Sequence, residues 1–174
     1  FNSGDFSSTL KFADNAINSP VKSGSLDPLD QGRLIRLKCT VGLITSNLEL
    51  IEQCAKAITT VANPDNLVDL TYVKGAVESM HLLGQGRFLE AYEKAKTVVT
   101  VEDNAGRIGI STPFDCRFVM IRCLYEFSQM SEVLAELDKL KAVAIKNKSL
   151  VIFWLCEVGE IRVLSREPKI GRAH

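Results

Sequence analysis

Histidine is nearly missing from this chain, with two in 174 residues, one of them the last. Five cysteines, Cys39, Cys54, Cys116, Cys123 and Cys156, form no Cys-x-x-Cys pair. Together these facts leave no zinc-ligand spacing. An excess of either charge is also lacking: 21 basic residues balance 21 acidic ones, so no overall field draws the chain onto nucleic acid. Long apolar runs are absent too. The longest, Leu150 to Cys156, is about a third of the roughly 20 residues that span a bilayer. No basic-then-apolar leader opens the chain. Nucleotide and nucleophile signatures fail as well: there is no Walker A pattern, no Gly-x-Ser-x-Gly and no His-Glu-x-x-His. Gly84-Gln85-Gly86-Arg87 lacks the third glycine and the preceding strand of a dinucleotide loop. With no matched acid–base pair, the expectation is a non-catalytic protein with neither cofactor nor metal.

What the chain does have is an internal echo. Gly86-Arg87-Phe88-Leu89-Glu90-Ala91 with Ala95 repeats the pattern of Gly4-Asp5-Phe6 through Ala13, and looser copies start at Ser46 and Ser128. Successive copies are about 40 residues apart, and a near-constant step of that size predicts stacked helical hairpins. The second helix of each hairpin starts near positions 4, 46, 86 and 128. Apolar stripes with a period near 3.6 follow each start: Phe6, Leu10, Ala13 and Ile17; Leu48, Ile51, Ala55 and Ile58; Phe88, Ala91, Ala95 and Val98; Met130, Val133, Leu137 and Leu140. The glycine serves the turn before the helix, where φ > 0 is often needed; where serine replaces it, a capping hydroxyl is expected.

First helices lie upstream of these turns, on Leu34, Leu37, Val41 and Ile44, then on Val73, Ala76, Val77, Met80 and Leu83, then on Phe114, Phe118, Ile121 and Tyr125. A fifth stretch carries Leu150, Phe153, Trp154, Ile161 and Leu164, and ends before Pro168. Trp154 is expected in the core or as an interface anchor. Connections alternate: Asn18–Gln31 and Thr100–Thr112 are long, Asn63–Asn66 and Lys146–Lys148 short. Glu102 and Asp103 fall in one long loop, and Asn147-Lys148-Ser149 reads as an incidental glycosylation match. Residues 1–174 are expected to form one all-α domain, a right-handed superhelix of antiparallel hairpins with a period of about 41 residues. Its phase, starting on a second helix and stopping after a first one, is expected of a fragment, and the ends invite a homo-oligomer. Four cysteines inside apolar helical patterns read as reduced core thiols, hence a cytoplasmic setting. Arg33, Arg36 and Lys38 read as a solvated face, and the lysines at 139, 141, 146 and 148 as partners of a helix C-terminus.

The segment Gly86-Arg87-Phe88-Leu89-Glu90-Ala91…Ala95 resembles the second helix of tetratricopeptide-type repeats. The Gly4 copy departs at Thr9, where that family has a small residue. The longer period and long loops are similar to the divergent repeats in the sensor region of large LuxR-type bacterial transcriptional regulators of the maltose-regulator kind. That resemblance implies a cytoplasmic segment that binds a small-molecule effector or a protein partner, without itself touching DNA or membrane. The other reading is a protein-interaction scaffold with no small-molecule ligand. In either case a groove between first helices would carry binding, and Arg33, Arg36, Tyr72, Arg122 and Tyr125 are the candidates, being polar or aromatic among first-helix core positions.

Overall fold

The computed structural model describes residues 26–63, 67–104, 112–146 and 148–166, together with helical positions 8, 10, 11 and 15. Among these residues the chain is all helical. The helices are α1 (Pro28–Ile44), α2 (Leu48–Thr60), α3 (Val68–Gly84), α4 (Phe88–Asn104), α5 (Thr112–Glu126), α6 (Met130–Lys146) and α7 (Leu150–Arg166). Of the stripe expected after Gly4 only Leu10 is among the described residues, in helix and half-buried; Phe6, Ala13, Ile17 and the segment after Pro168 lie outside them. Helix α1 starts inside the stretch expected as a loop, because Pro28 occupies its first turn, where a ring-fixed helical φ and a missing N–H cost nothing. Glu102 and Asp103 belong to the end of α4 rather than to a loop.

Four turns, three within hairpins and one joining α6 to α7, share one hydrogen-bond pattern. Ser46 N–H donates to the Leu43 carbonyl and Asn47 N–H to that of Gly42; Gly86 and Arg87 donate to Leu83 and Leu82. Ser128 and Gln129 donate to Tyr125 and Leu124, and Lys148 and Ser149 to Ile145 and Ala144. These paired bonds form the Schellman arrangement, which satisfies carbonyls that a helix end leaves orphaned. It requires a left-handed residue, and the four have φ 56°, 73°, 59° and 53° at Ser46, Gly86, Ser128 and Lys148. Three of the echoed positions, Ser46, Gly86 and Ser128, are therefore left-handed residues, and Lys148 is one that the echo does not mark. The expected serine cap is corrected at Ser46: Asn47 caps α2, its side-chain oxygen accepting from Leu50 N–H at 3.0 Å.

Consecutive helices pack on each other, and α1 also packs on α3 and α3 on α5. Gly75 makes a close approach possible, since a Cβ there would meet Val98 of α4 at 2.8 Å. Two apolar clusters result. One joins Ile35, Ile51, Leu70, Met80 and Val119 across α1 to α5; the other joins Leu124, Val133, Leu137, Leu140 and Val163 across α5 to α7. Tyr92 of α4 packs against both.

The expected stripes of α3, α4 and α6 are inside, with Phe88 and Met130 only half-buried. Others need correction. Helix α1 buries Ile35, Cys39 and Val41 while Leu34 and Leu37 are half-buried and Ile44 is exposed, because α1 faces both α2 and α3. In α2 the inner positions are Ile51, Cys54 and Ile58, and Leu48 is outside. In α5 they are Cys116, Val119, Met120 and Cys123, and the aromatic stripe is displaced to one side. In α7 they are Ile152, Cys156 and Val163. Trp154 is 66% exposed, so it is no core residue.

Polar residues also tie the layers together. Arg36 of α1 is not on a solvated face: its guanidinium pairs with buried Asp115 of α5, where Thr40 adds a hydrogen bond. Burial pushes the Asp115 carboxyl above the usual carboxylate range, outweighing the opposing pull of Arg36. Arg117 of α5 meets Glu136 of α6 at 2.9 Å, and Glu136 also accepts from Lys139 at 2.6 Å. All five cysteines are buried, and none is in a disulfide. Cys39 shares a hydrogen bond with Cys54, which together with burial drives its thiol far above the usual range.

Candidate site: an open groove between α5 and α7

Direct packing of α1 on α3 and of α3 on α5 has no counterpart of similar extent between α5 and α7 among the described residues. A groove of about 630 Å³ lies there instead. Phe118, Ile121, Arg122, Tyr125 and Glu126 of α5 form one wall. Leu155, Val158 and Arg162 belong to the α7 wall, and buried Val133 and Leu137 of α6 reach the groove from below.

Local sequence explains why α7 leans away from α5. On its α6 side, Gly159 lets α7 approach Leu137, which a Cβ would meet at 3.1 Å. Lys141 of α6 then clasps α7 by reaching Glu157 at 2.6 Å and Glu160 at 2.5 Å, with Phe153 beneath its ammonium at 6.0 Å. These hydrogen bonds raise the Lys141 ammonium well above the ordinary lysine range, keeping it charged. On the α5 side Phe118, Ile121 and Tyr125 line the opposite wall. Lys141 therefore serves a helix-to-helix clasp rather than the end of its own helix.

The groove is apolar below and charged at its rim. Arg122 pairs with Glu126 at 2.6 Å and lies 6.0 Å from the Tyr125 ring centroid, a guanidinium held over an aromatic face. Arg162 stands exposed on the opposite wall. With Glu126 offsetting Arg122, the rim carries a net positive charge from Arg162 over an apolar floor, which matches an elongated partner with an apolar face and an acidic group. No group of three or more His, Cys, Asp or Glu that could hold a metal ion occurs among the described residues. None of the described helices is long and apolar enough to cross a membrane.

Of the five candidate residues, the structure brings together Arg122 and Tyr125, both on the α5 wall. Arg33 is exposed near the start of α1, bonded to Asp30 at 3.1 Å. Arg36 is committed to Asp115, and Tyr72 is half-buried against the larger core. None of these three lines the groove; they belong to α1 and α3, which pack directly on each other. Arg162, Leu155 and Val158 were not among the candidates. Their signal lies in α7 itself: a stretch apolar on nearly every face cannot be satisfied by one neighbour. No family model, curated protein or solved structure matches the chain.

Proposed function

We propose that this chain is a non-catalytic binding module, a tetratricopeptide-like array of helical hairpins with a step of about 41 residues, which takes its effector or partner in the groove between α5 and α7. The observation that carries this reading is the groove itself, an apolar cleft left where α5 and α7 do not close on each other, rimmed by Arg122 and Arg162. A cleft of this size between helices, with few polar groups at its mouth, has the character of a ligand site. The repeated left-handed turns at Ser46, Gly86 and Ser128 support the array, since they recur at a nearly constant spacing.

An occupant would touch both α5 and α7, so it would favour one separation of these helices over others. That differential contact is what an effector needs to bias neighbouring structure. The setting in a LuxR-type regulator rests on the sequence resemblance alone, and a scaffold that docks an apolar, acidic peptide segment uses the same groove. Calorimetry with medium-chain carboxylates and with Leu/Asp-rich helical peptides distinguishes the two: carboxylate binding supports the effector version and peptide binding alone the scaffold. Replacing Arg122 and Tyr125 together by alanine is expected to weaken the bound class at least about tenfold. Unchanged affinity, or no binding in either class, would reject the groove as the site.

A further inference from the structure

Among the described residues, helix α7 has a second unsatisfied surface, beside the groove and bordering it at Val158. Its inner face, through Ile152, Cys156 and Val163, meets α6, and Leu155 and Arg162 face the groove. On the remaining side Leu150, Trp154, Ile161 and Leu164 are all more than half exposed, with Val158 at the edge. These positions fall on one helical arc about 120° wide. They present roughly 600 Å² of contiguous apolar surface, at the upper end of what monomers expose. Glu157, the charge on this arc, is neutralised by Lys141 at 2.6 Å. Its first two turns, Leu150 to Cys156, carry apolar residues on every face, a pattern built for burial on more than one side.

We infer that this outer face of α7 binds the same face of a second copy, the two α7 helices crossing antiparallel about a two-fold axis near residues 157 and 158. The sequence is matched to that symmetry. Trp154 and Ile161 lie equally far on either side of the axis, so Trp154 of each copy covers Ile161 of the other. Leu150 and Leu164 are related in the same way, to within one residue. Such self-complementary contact is what a two-fold interface requires. The apolar area comes close to the roughly 800 Å² per partner of a stable interface, with neighbouring polar residues able to supply the rest. A chain with 21 charges of each sign meets no net repulsion on pairing. The inference is independent of the groove, whose residues Arg122 and Tyr125 are on α5.

The test uses the full 174-residue chain. Sedimentation over about 1–200 µM should show a mass rising from 19.2 kDa to twice that value. Trp154 is the sole tryptophan, so its emission should shift to the blue in step with the mass. Trp154→Glu and Ile161→Lys each place a charge on an exposed position and should weaken association more than about 30-fold without loss of helical circular dichroism. The double variant Trp154→Glu/Ile161→Lys sets opposite charges against each other across the axis, and should recover part of the lost association. A monomer at the highest concentration overturns the inference, including the case where some other segment covers the face. An oligomer indifferent to both single variants, or a double variant no better than the singles, overturns it as well.

Discussion

Lys148 holds φ at 53°, and Ser46 and Ser128 hold 56° and 59°, where Gly86 does the same work at 73°. A side chain with a Cβ in this region costs about 1 kcal/mol or more, which glycine avoids. Lys148→Gly should therefore raise stability by about 0.5–1 kcal/mol, and Gly86→Ala should lower it by about 1 kcal/mol, although no atom lies within 4 Å of the added Cβ. Urea midpoints of the two variants check this; equal midpoints would show that strain at these turns is relieved elsewhere. Asp115 makes a pH-dependent prediction. Its folded pKa is raised by burial, so its contribution to stability is full below the unfolded value near 4 and is lost as pH rises through the folded value. Asp115→Asn removes that titration. The difference in urea midpoint should thus move in favour of the variant as pH rises from about 4 toward 7, and a constant difference would count against a neutral-preferring Asp115. The thiols follow the same logic of burial. Cys123 and Cys156 are pushed up to about 11 and Cys39 further, so alkylation at pH 8 should leave the folded chain almost untouched and label all five cysteines after unfolding.

At the scale of elements, the pair between Arg36 and Asp115 links α1 to α5 across the flank of α3. Removing one partner leaves a buried polar group uncompensated, whereas removing both does not. Arg36→Leu should cost about 3 kcal/mol, and Arg36→Leu/Asp115→Leu clearly less than that single change, as a double-mutant cycle in urea would show. Equal losses would mean that Arg36 acts through its aliphatic stem rather than its charge. Between α6 and α7 the clasp is different, one lysine on two glutamates beside a close glycine contact, and it ties α7 to α6.

For the molecule as a whole, the two apolar clusters set a gradient of stability. The larger one gathers side chains from five helices, while α7 is held among the described residues chiefly by α6. Local opening follows the number of apolar contacts that must break. In dilute solution, amides of α7 should exchange with solvent through an opening of lower free energy than those of α3, measured by native-state hydrogen exchange. Uniform protection from α1 to α7 would indicate a single cooperative unit instead.

Much of this architecture is legible in the residues alone, and the reason is local. A turn that needs a left-handed residue and a helix that needs a buried stripe both write a periodic signal, as at Gly86 and along Phe88, Ala91, Ala95 and Val98. The all-helical character and the burial of the thiols were readable in the same way. Side-chain partnership across the fold was not. Arg36 looks like any surface cation until Asp115, 79 residues on, is folded against it. Phe118, Ile121 and Tyr125 look like a core stripe until α7 is drawn toward α6 and leaves them facing a cleft. Trp154 reads as core or as an interface anchor, and of the two the core is excluded because nothing described packs over the outer face of α7. Sequence by itself determined the helical character, the turns at Ser46, Gly86 and Ser128, and the inner faces of α3, α4 and α6, since those depend on neighbours three to five residues away. Only the tertiary structure decided which charges are paired and which apolar faces stay open, because these depend on how far apart whole helices come to rest.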